Sequence, residues 1–186
     1  RGPDRSIAPR VLIVYQSTYG STKQYADWIH REIPSRMVDI ETCRVPDFGN
    51  HDVIVFGSPV RMGRIVLAPF IVDSWPKLKG KTVFLFTVSG MPPEHPGLRK
   101  LYEANLPGNL RNDIRYFPLR GRMLRSALSA RDRAFVSVGR MMQGDETLKN
   151  LMGEDFDAVK RERLIPLLDQ LRNPTRPESR IDDYLP

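Results

Sequence analysis

The sequence predicts an α/β fold: a three-layer, doubly wound parallel sheet of five strands in the order 2-1-3-4-5. Three observations lead there. Apolar, β-branched runs alternate with segments of helical spacing, the rhythm of a chain that crosses a sheet from strand to helix to strand. The central runs are apolar throughout, without polar alternation, as strands covered on both faces are. No internal repeat divides the chain. Right-handed crossovers leave few topologies for such a chain, and this order is the commonest of them.

The elements follow in order. Val11 to Tyr15 (VLIVY) is a buried first strand. Tyr25, Trp28, Ile29 and Ile33 then share one face of a helix that ends at Pro34, since proline breaks the hydrogen-bond ladder. Met37 to Thr42 reads as an edge strand and Asp52 to Gly57 (DVIVFG) as the central third. A short helix is predicted from Ile65 or Val66 to about Trp75, stopped by Pro76. Lys81 to Val88 (KTVFLFTV) is the fourth strand, His95 to Asn105 a helix, and Asp113 to Leu119 the fifth strand, with Pro118 near its end. A basic helical segment from Gly121 to Gln143 and a last helix from Phe156 to Leu171 complete the pattern. Residues 1–9 and the proline- and charge-rich residues 173–186 are expected to be mobile, which leaves 10–172 as one domain carrying a basic insertion at about 120–154.

A chain of 186 residues buries a substantial core without staples. No run approaches the roughly 18 apolar residues of a membrane-spanning helix, and the polar stretch Arg1 to Arg10 lacks the apolar segment of a secretory signal. The single cysteine, Cys43, excludes an internal disulfide and suits a reducing compartment, so the cytoplasm is the expected location and Cys43 is expected to be a buried residue at a strand end. The formal net charge is +7, and it is concentrated. Between Arg111 and Arg140 eight arginines stand against Asp113 and Asp132, an excess of six. Such a block attracts anionic partners. No recognised nucleic-acid motif accompanies it, so nucleic-acid binding rests on charge alone.

In a doubly wound sheet, ligands bind beyond the carboxyl ends of the strands at the switch point. The loop there, after the first strand, reads Gln16-Ser17-Thr18-Tyr19-Gly20-Ser21-Thr22 and opens a helix. Three hydroxyls beyond Ser17 and one glycine sit where a helix presents unpaired N–H groups and its positive dipole end. Gly20 permits positive φ. Neither a G-x-x-x-x-G-K-[ST] loop nor a G-x-G-x-x-G loop is present, and Lys23 falls on the helix rather than in the turn. A hydroxyl-lined turn without a cation suits a monophosphate ester, held by backbone N–H groups and by the hydroxyls of Ser17, Thr18, Ser21 or Thr22.

Ile13 to Ala26 (IVYQSTYGSTKQYA) resembles the flavodoxin signature, with Ile13, Val14, Tyr15, Ser17, Gly20, Thr22 and Ala26 matching at the right spacing. The resemblance implies FMN as a non-covalent cofactor, with its phosphate in the turn from Ser17 to Thr22. It places Ser58, Pro59, Val60, Arg61, Met62 and Gly63, after the third strand, and Ser89 and Gly90, after the fourth, around the isoalloxazine ring. Arg61, Gly63 and the basic insertion make the chain similar to one branch in particular, the menaquinone-dependent protoporphyrinogen oxidase type, with Met62 standing where that branch offers an aromatic. Arg61 is either a charge at the flavin's N1–O2 edge or a solvated loop charge.

The implied function is an FMN-dependent oxidoreductase moving electrons from a porphyrinogen-like donor or reduced nicotinamide to a quinone. The alternative is a flavodoxin-type carrier between protein partners, against which a pI near 9.8 counts. The flavin would do the redox chemistry, so no catalytic side chain is required, and no nucleophile triad or metal-ligand cluster appears around His30, His51 or His95. The basic segment, with Leu124, Leu128, Phe135, Val138 and Met142 at helical intervals and Arg131 interrupting them, has three readings. It packs on this domain or a second copy, lies on a membrane surface to reach a lipid quinone, or binds an acidic substrate. Arg120, Arg122 and Arg125 are the candidate contacts for substrate or membrane.

Overall fold

The computed structural model describes residues 8–174, apart from 44, 143 and 145. The expected mobile ends lie outside the described residues for 1–7 and 175–186, as does Gln143 of the basic segment.

The chain runs β1 (Val11–Tyr15), α1 (Ser21–Glu32), β2 (Ser35–Asp39), β3 (Val53–Arg61), β4 (Arg64–Ile65), α2 (Ala68–Ser74), β5 (Thr82–Ser89), α3 (Gly97–Asn105), α4 (Gly108–Arg111) and β6 (Ile114–Arg120). Then come β7 (Arg122–Met123), α5 (Ala130–Met142), α6 (Glu146–Gly153), β8 (Phe156–Asp157) and α7 (Ile165–Arg172). Five strands pair in parallel in the order β2-β1-β3-β5-β6, the predicted order counted over parallel strands. Strand alternation sends Leu12 and Val14 to one face, where they join Ile54, Phe56, Ile71, Leu85 and Tyr116. It sends Ile13 and Tyr15 to the other, with Tyr25, Ile29, Phe84, Phe86, Leu164 and Leu168. Two cores flank one sheet, which gives the three layers.

The centre of the sheet is tight. A Cβ on Gly57 would lie 2.3 Å from Cζ of the fully buried Phe86 ring, so glycine is required for that ring to cross the strand. On the other face Tyr116 stacks on Tyr102 at 4.1 Å and bonds to the Thr87 hydroxyl at 2.9 Å, and burial pushes its own hydroxyl pKa up to about 12.

Several boundaries differ from the sequence reading. The third strand continues past Gly57 to Arg61, because Arg61↔Arg64 and Val60↔Ile65 pair as an antiparallel hairpin around Met62 and Gly63, at φ 52° and 70°. Positive φ at both central residues is what a two-residue hairpin turn needs. Since Arg64 and Ile65 belong to that hairpin, α2 starts only at Ala68. The C-terminal boundary agrees: α2 ends at Ser74, ahead of Pro76. That proline sits in the first turn of a 3₁₀ segment, Trp75–Leu78, where its missing N–H costs nothing. The edge strand begins at Ser35 and ends at Asp39, and Cys43 is a half-buried residue of the following turn rather than a buried strand end.

The basic segment is not one helix. Gly121 to Ser129 is an extended strap with a single 3₁₀ turn, and α5 begins at Ala130. The last helix also starts late, at Ile165 after a 3₁₀ turn from Arg161, because Phe156 and Asp157 are taken up by pairing with Met123 and Arg122. This β7–β8 pair closes the base of the insertion. The Tyr25 hydroxyl fastens it from below, donating to the Arg120 carbonyl at 2.6 Å and accepting from the Lys160 N–H at 3.3 Å.

Candidate functional site

Register aligns the carboxyl ends of the strands: Tyr15 opposite Gly57, Ser58 opposite Thr87, Ser89 opposite Arg120. Beyond them opens a cavity of about 430 Å³, bounded by the turn after β1, the β3–β4 hairpin, the loop after β5 and one face of α5. Its size falls in the usual range of small-molecule sites.

Gly20 caps α1 in the left-handed region, at φ 94°. The Ser17 hydroxyl accepts from the Gly20 N–H at 3.1 Å and the Lys23 N–H at 3.3 Å, so it shapes the turn from behind and does not line the cavity. Thr18, Tyr19, Ser21 and Thr22 do line it. Ser21 and Thr22 are buried, and among the described residues their N–H groups at the start of α1 find no acceptor. N–H groups at the start of a helix have no intrahelical acceptor and are open to a ligand. Lys23 is turned away into an ion pair with Asp27 at 2.9 Å, leaving no lysine in the turn. This cradle fits a phosphate monoester.

Pro59, Val60, Arg61, Met62, Gly63, Ser89 and Gly90 also line the cavity, joined by Met91 and Leu101. Ser58 does not. It is fully buried, and its hydroxyl is engaged with the Pro59 carbonyl at 2.9 Å and the Leu67 N–H at 3.0 Å, where it holds the hairpin to α2. Arg61 lines the cavity with its guanidinium paired to Asp132 at 2.7 Å, while 38% of its side chain stays exposed.

The three arginines of the insertion have other work. Arg120 lies over the Phe156 ring at 5.4 Å. Arg122 reaches Asp157 at 2.8 Å and Gln24 at 3.2 Å, and its N–H donates to the Ser21 hydroxyl at 3.2 Å. Arg125 binds the Asp155 carboxylate through its N–H at 2.8 Å and the Gly153 carbonyl at 3.0 Å. Of the three, only Arg122 lines the cavity. His30, His51 and His95 lie elsewhere, bonded to Ser35, the Asp47 carbonyl and the Gly97 N–H.

The sequence reading expected helix here but did not place α5 at the cavity. Leu128 in the strap and Asp132, Phe135, Val136 and Gly139 in the helix face the cavity. Asp132 is buried, and it accepts from the Tyr19 hydroxyl, the Arg61 guanidinium and the Ser129 hydroxyl. Burial alone would raise its carboxyl pKa, but these three donors outweigh burial and hold it below the usual carboxylate range. A lowered carboxyl pKa means that the contact stabilises the folded protein at every pH above the ordinary carboxylate value. It is lost only when acidification passes the lowered one. The available signal was one of only two acids among eight arginines, four residues after Leu128 and three before Phe135.

Comparison with known proteins agrees with the fold. Residues 12–150 match the flavodoxin domain model. The flavodoxin of Megasphaera elsdenii is 38% identical over 85 residues, a match spanning 41% of this chain and 62% of that protein. Among solved structures, a flavoprotein from Lactobacillus acidophilus NCFM in complex with FMN is 18% identical, covering 61% of this chain and 93% of its own, at a TM-score of 0.45. An NAD(P)H:quinone oxidoreductase from Methanothermobacter marburgensis is 11% identical, covering 92% and 98%, at 0.47. Below a TM-score of 0.5 these two likenesses carry no functional weight. The matched domain and the lysine-free turn at the start of α1 agree with each other. The chain belongs to the flavodoxin-domain family, and FMN is its cofactor.

Proposed function

We propose that the protein is an FMN-dependent oxidoreductase that passes electrons from a small reduced donor to a quinone-type acceptor. FMN, when bound, supplies the redox chemistry. The chain's own residues bind, orient and exclude water. The N–H groups of Ser21 and Thr22 hold the phosphate, and Pro59 to Gly63 and Ser89 to Met91 flank the ring. The observation that carries the reading is the apolar lining of the cavity, to which Met62, Met91, Leu101, Met123 and Leu128 contribute. Methionine sulfurs are polarisable and adapt to flat rings of differing shape, which suits an acceptor such as a quinone. No helix among the described residues is long and apolar enough to cross a membrane. A lipid quinone would be met from the surface, where α5 exposes Val138 and Met141 beside Arg131 and Arg133.

The donor that best suits this lining is reduced nicotinamide. A porphyrinogen-like donor, which the sequence resemblance adds, needs cations for its carboxylates. Arg120 and Arg125 are held away from the cavity, and Arg122 is already paired with Asp157. A second reading, a carrier between protein partners, draws on the 38% identity to the Megasphaera elsdenii flavodoxin. The two separate in one anaerobic experiment with the FMN-loaded protein. Steady oxidation of NADH or NADPH with menadione as acceptor is expected. Absence of turnover with every small donor and acceptor, alongside transfer to a protein acceptor, would replace the enzyme by the carrier.

A further inference from the structure

The aromatic side chains on the cavity are three: Tyr19, Phe135 and Phe156. Two are already engaged. Tyr19 is tied to Asp132 and to the Ser129 N–H through its hydroxyl. Phe156 lies beneath Arg120 and close against Gly90, where an added Cβ would come within 3.0 Å of its ring. Phe135 is 42% exposed and makes no ring or cation contact among the described residues. A large aromatic left open toward a cavity is an unmet apolar surface. The loops that frame the cavity from the sheet side, Pro59 to Gly63 and Ser89 to Met91, contain no aromatic residue.

α5 packs little of itself into the protein: Asp132 is its one buried side chain among those described. That residue is the helix's link to both halves of the site, since Tyr19 belongs to the phosphate turn and Arg61 to the β3–β4 hairpin. Asp132, Phe135, Val136 and Gly139 recur at three and four residues, one stripe of a helix, and all face the cavity. The bond at Asp132 therefore fixes which face of α5 looks inward, and Phe135 follows one turn later.

We infer that α5 is the outer wall of the flavin site, with Asp132 latching the helix to Tyr19 and Arg61 and Phe135 supplying the aromatic face against the isoalloxazine ring. This rests on the FMN reading and deepens it. The insertion is part of the cofactor site itself. Phe135 is a binding residue, and Asp132 is a positioning residue acting through the helix.

The test is fluorescence titration of the apoprotein with FMN, comparing wild type with Phe135→Ala, Phe135→Tyr, Asp132→Ala and, as a control on the outward face of α5, Met141→Ala. Phe135→Ala and Asp132→Ala are expected to weaken FMN binding at least tenfold and to leave the bound flavin visibly more fluorescent, because the ring that quenches it is lost or displaced. Phe135→Tyr and Met141→Ala are expected to behave as wild type. Thermal unfolding of the apoproteins is expected to be unchanged by Phe135→Ala, whose side chain has no core contact to lose. Wild-type affinity and quenching in both Phe135→Ala and Asp132→Ala would overturn the inference and leave the FMN site standing. Equal weakening by Met141→Ala would overturn it too, as a general effect of disturbing the helix. A wild-type protein that binds no FMN would overturn the inference and the FMN reading together.

Discussion

Replacing Thr18 by glutamate is expected to weaken FMN binding by roughly 100-fold, about 3 kcal/mol, while leaving the apoprotein as stable as wild type. Thr18 is exposed on the rim of the turn, and its side chain makes no hydrogen bond among the described residues, so little of the fold depends on it. The effect is electrostatic. A phosphate monoester carries between one and two negative charges near neutrality. The turn meets it with backbone N–H groups and hydroxyls, with Lys23 directed to Asp27. The arginines that share the cavity, Arg61 and Arg122, are already paired with Asp132 and Asp157, so a carboxylate at position 18 would stand charged beside the phosphate, and added salt should recover part of the loss by screening. Thr18→Gln is the isosteric control, expected to cost tenfold or less. Equal affinities of the Glu and Gln variants would show that the phosphate lies elsewhere.

Gly57→Ala is expected to destabilise the fold by about 3 kcal/mol, at the upper end of what overpacking a core costs. The added methyl would stand 2.3, 2.8 and 2.9 Å from three carbons of the Phe86 ring. That ring has little room to retreat: it is fully buried, and Tyr25 meets it edge-on at 6.4 Å. Tyr25 also fastens the base of the insertion, so a displaced ring would strain the site as well as the sheet. Urea unfolding should show a lowered midpoint at an unchanged slope. Phe86→Leu in the same chain should recover part of the loss, whereas Phe86→Leu alone should destabilise. A loss below about 1 kcal/mol for Gly57→Ala would mean that the ring moves freely and the centre of the sheet is looser than its geometry states.

What the sequence displays and what it hides follow from the range of the forces involved. VLIVY, DVIVFG and KTVFLFTV announce buried parallel strands because their pattern is local and two-sided burial leaves no polar position. The turn into α1 is legible for the same reason: hydroxyls, Gly20 and the start of the helix lie within seven residues. Contacts between distant residues leave no such mark. Tyr19 and Asp132 are 113 positions apart, and nothing local to Asp132 announces Arg61 and Tyr19 as its partners. The β7–β8 pair joins residues 35 apart through two-residue strands that no periodicity can announce. Arg120, Arg122 and Arg125 read as a cationic patch because their acidic and carbonyl partners come from the far end of the insertion.

The central claim is that the turn from Ser17 to Thr22 grips a flavin by its phosphate. Isothermal titration of the apoprotein with FMN and, separately, with riboflavin tests it most directly, because the two ligands share the ring and differ in the phosphate. The expected result is one FMN per chain and riboflavin bound at least 100-fold more weakly. Equal affinity for the two, or no FMN binding at high micromolar concentration by a well-folded protein, would contradict the account.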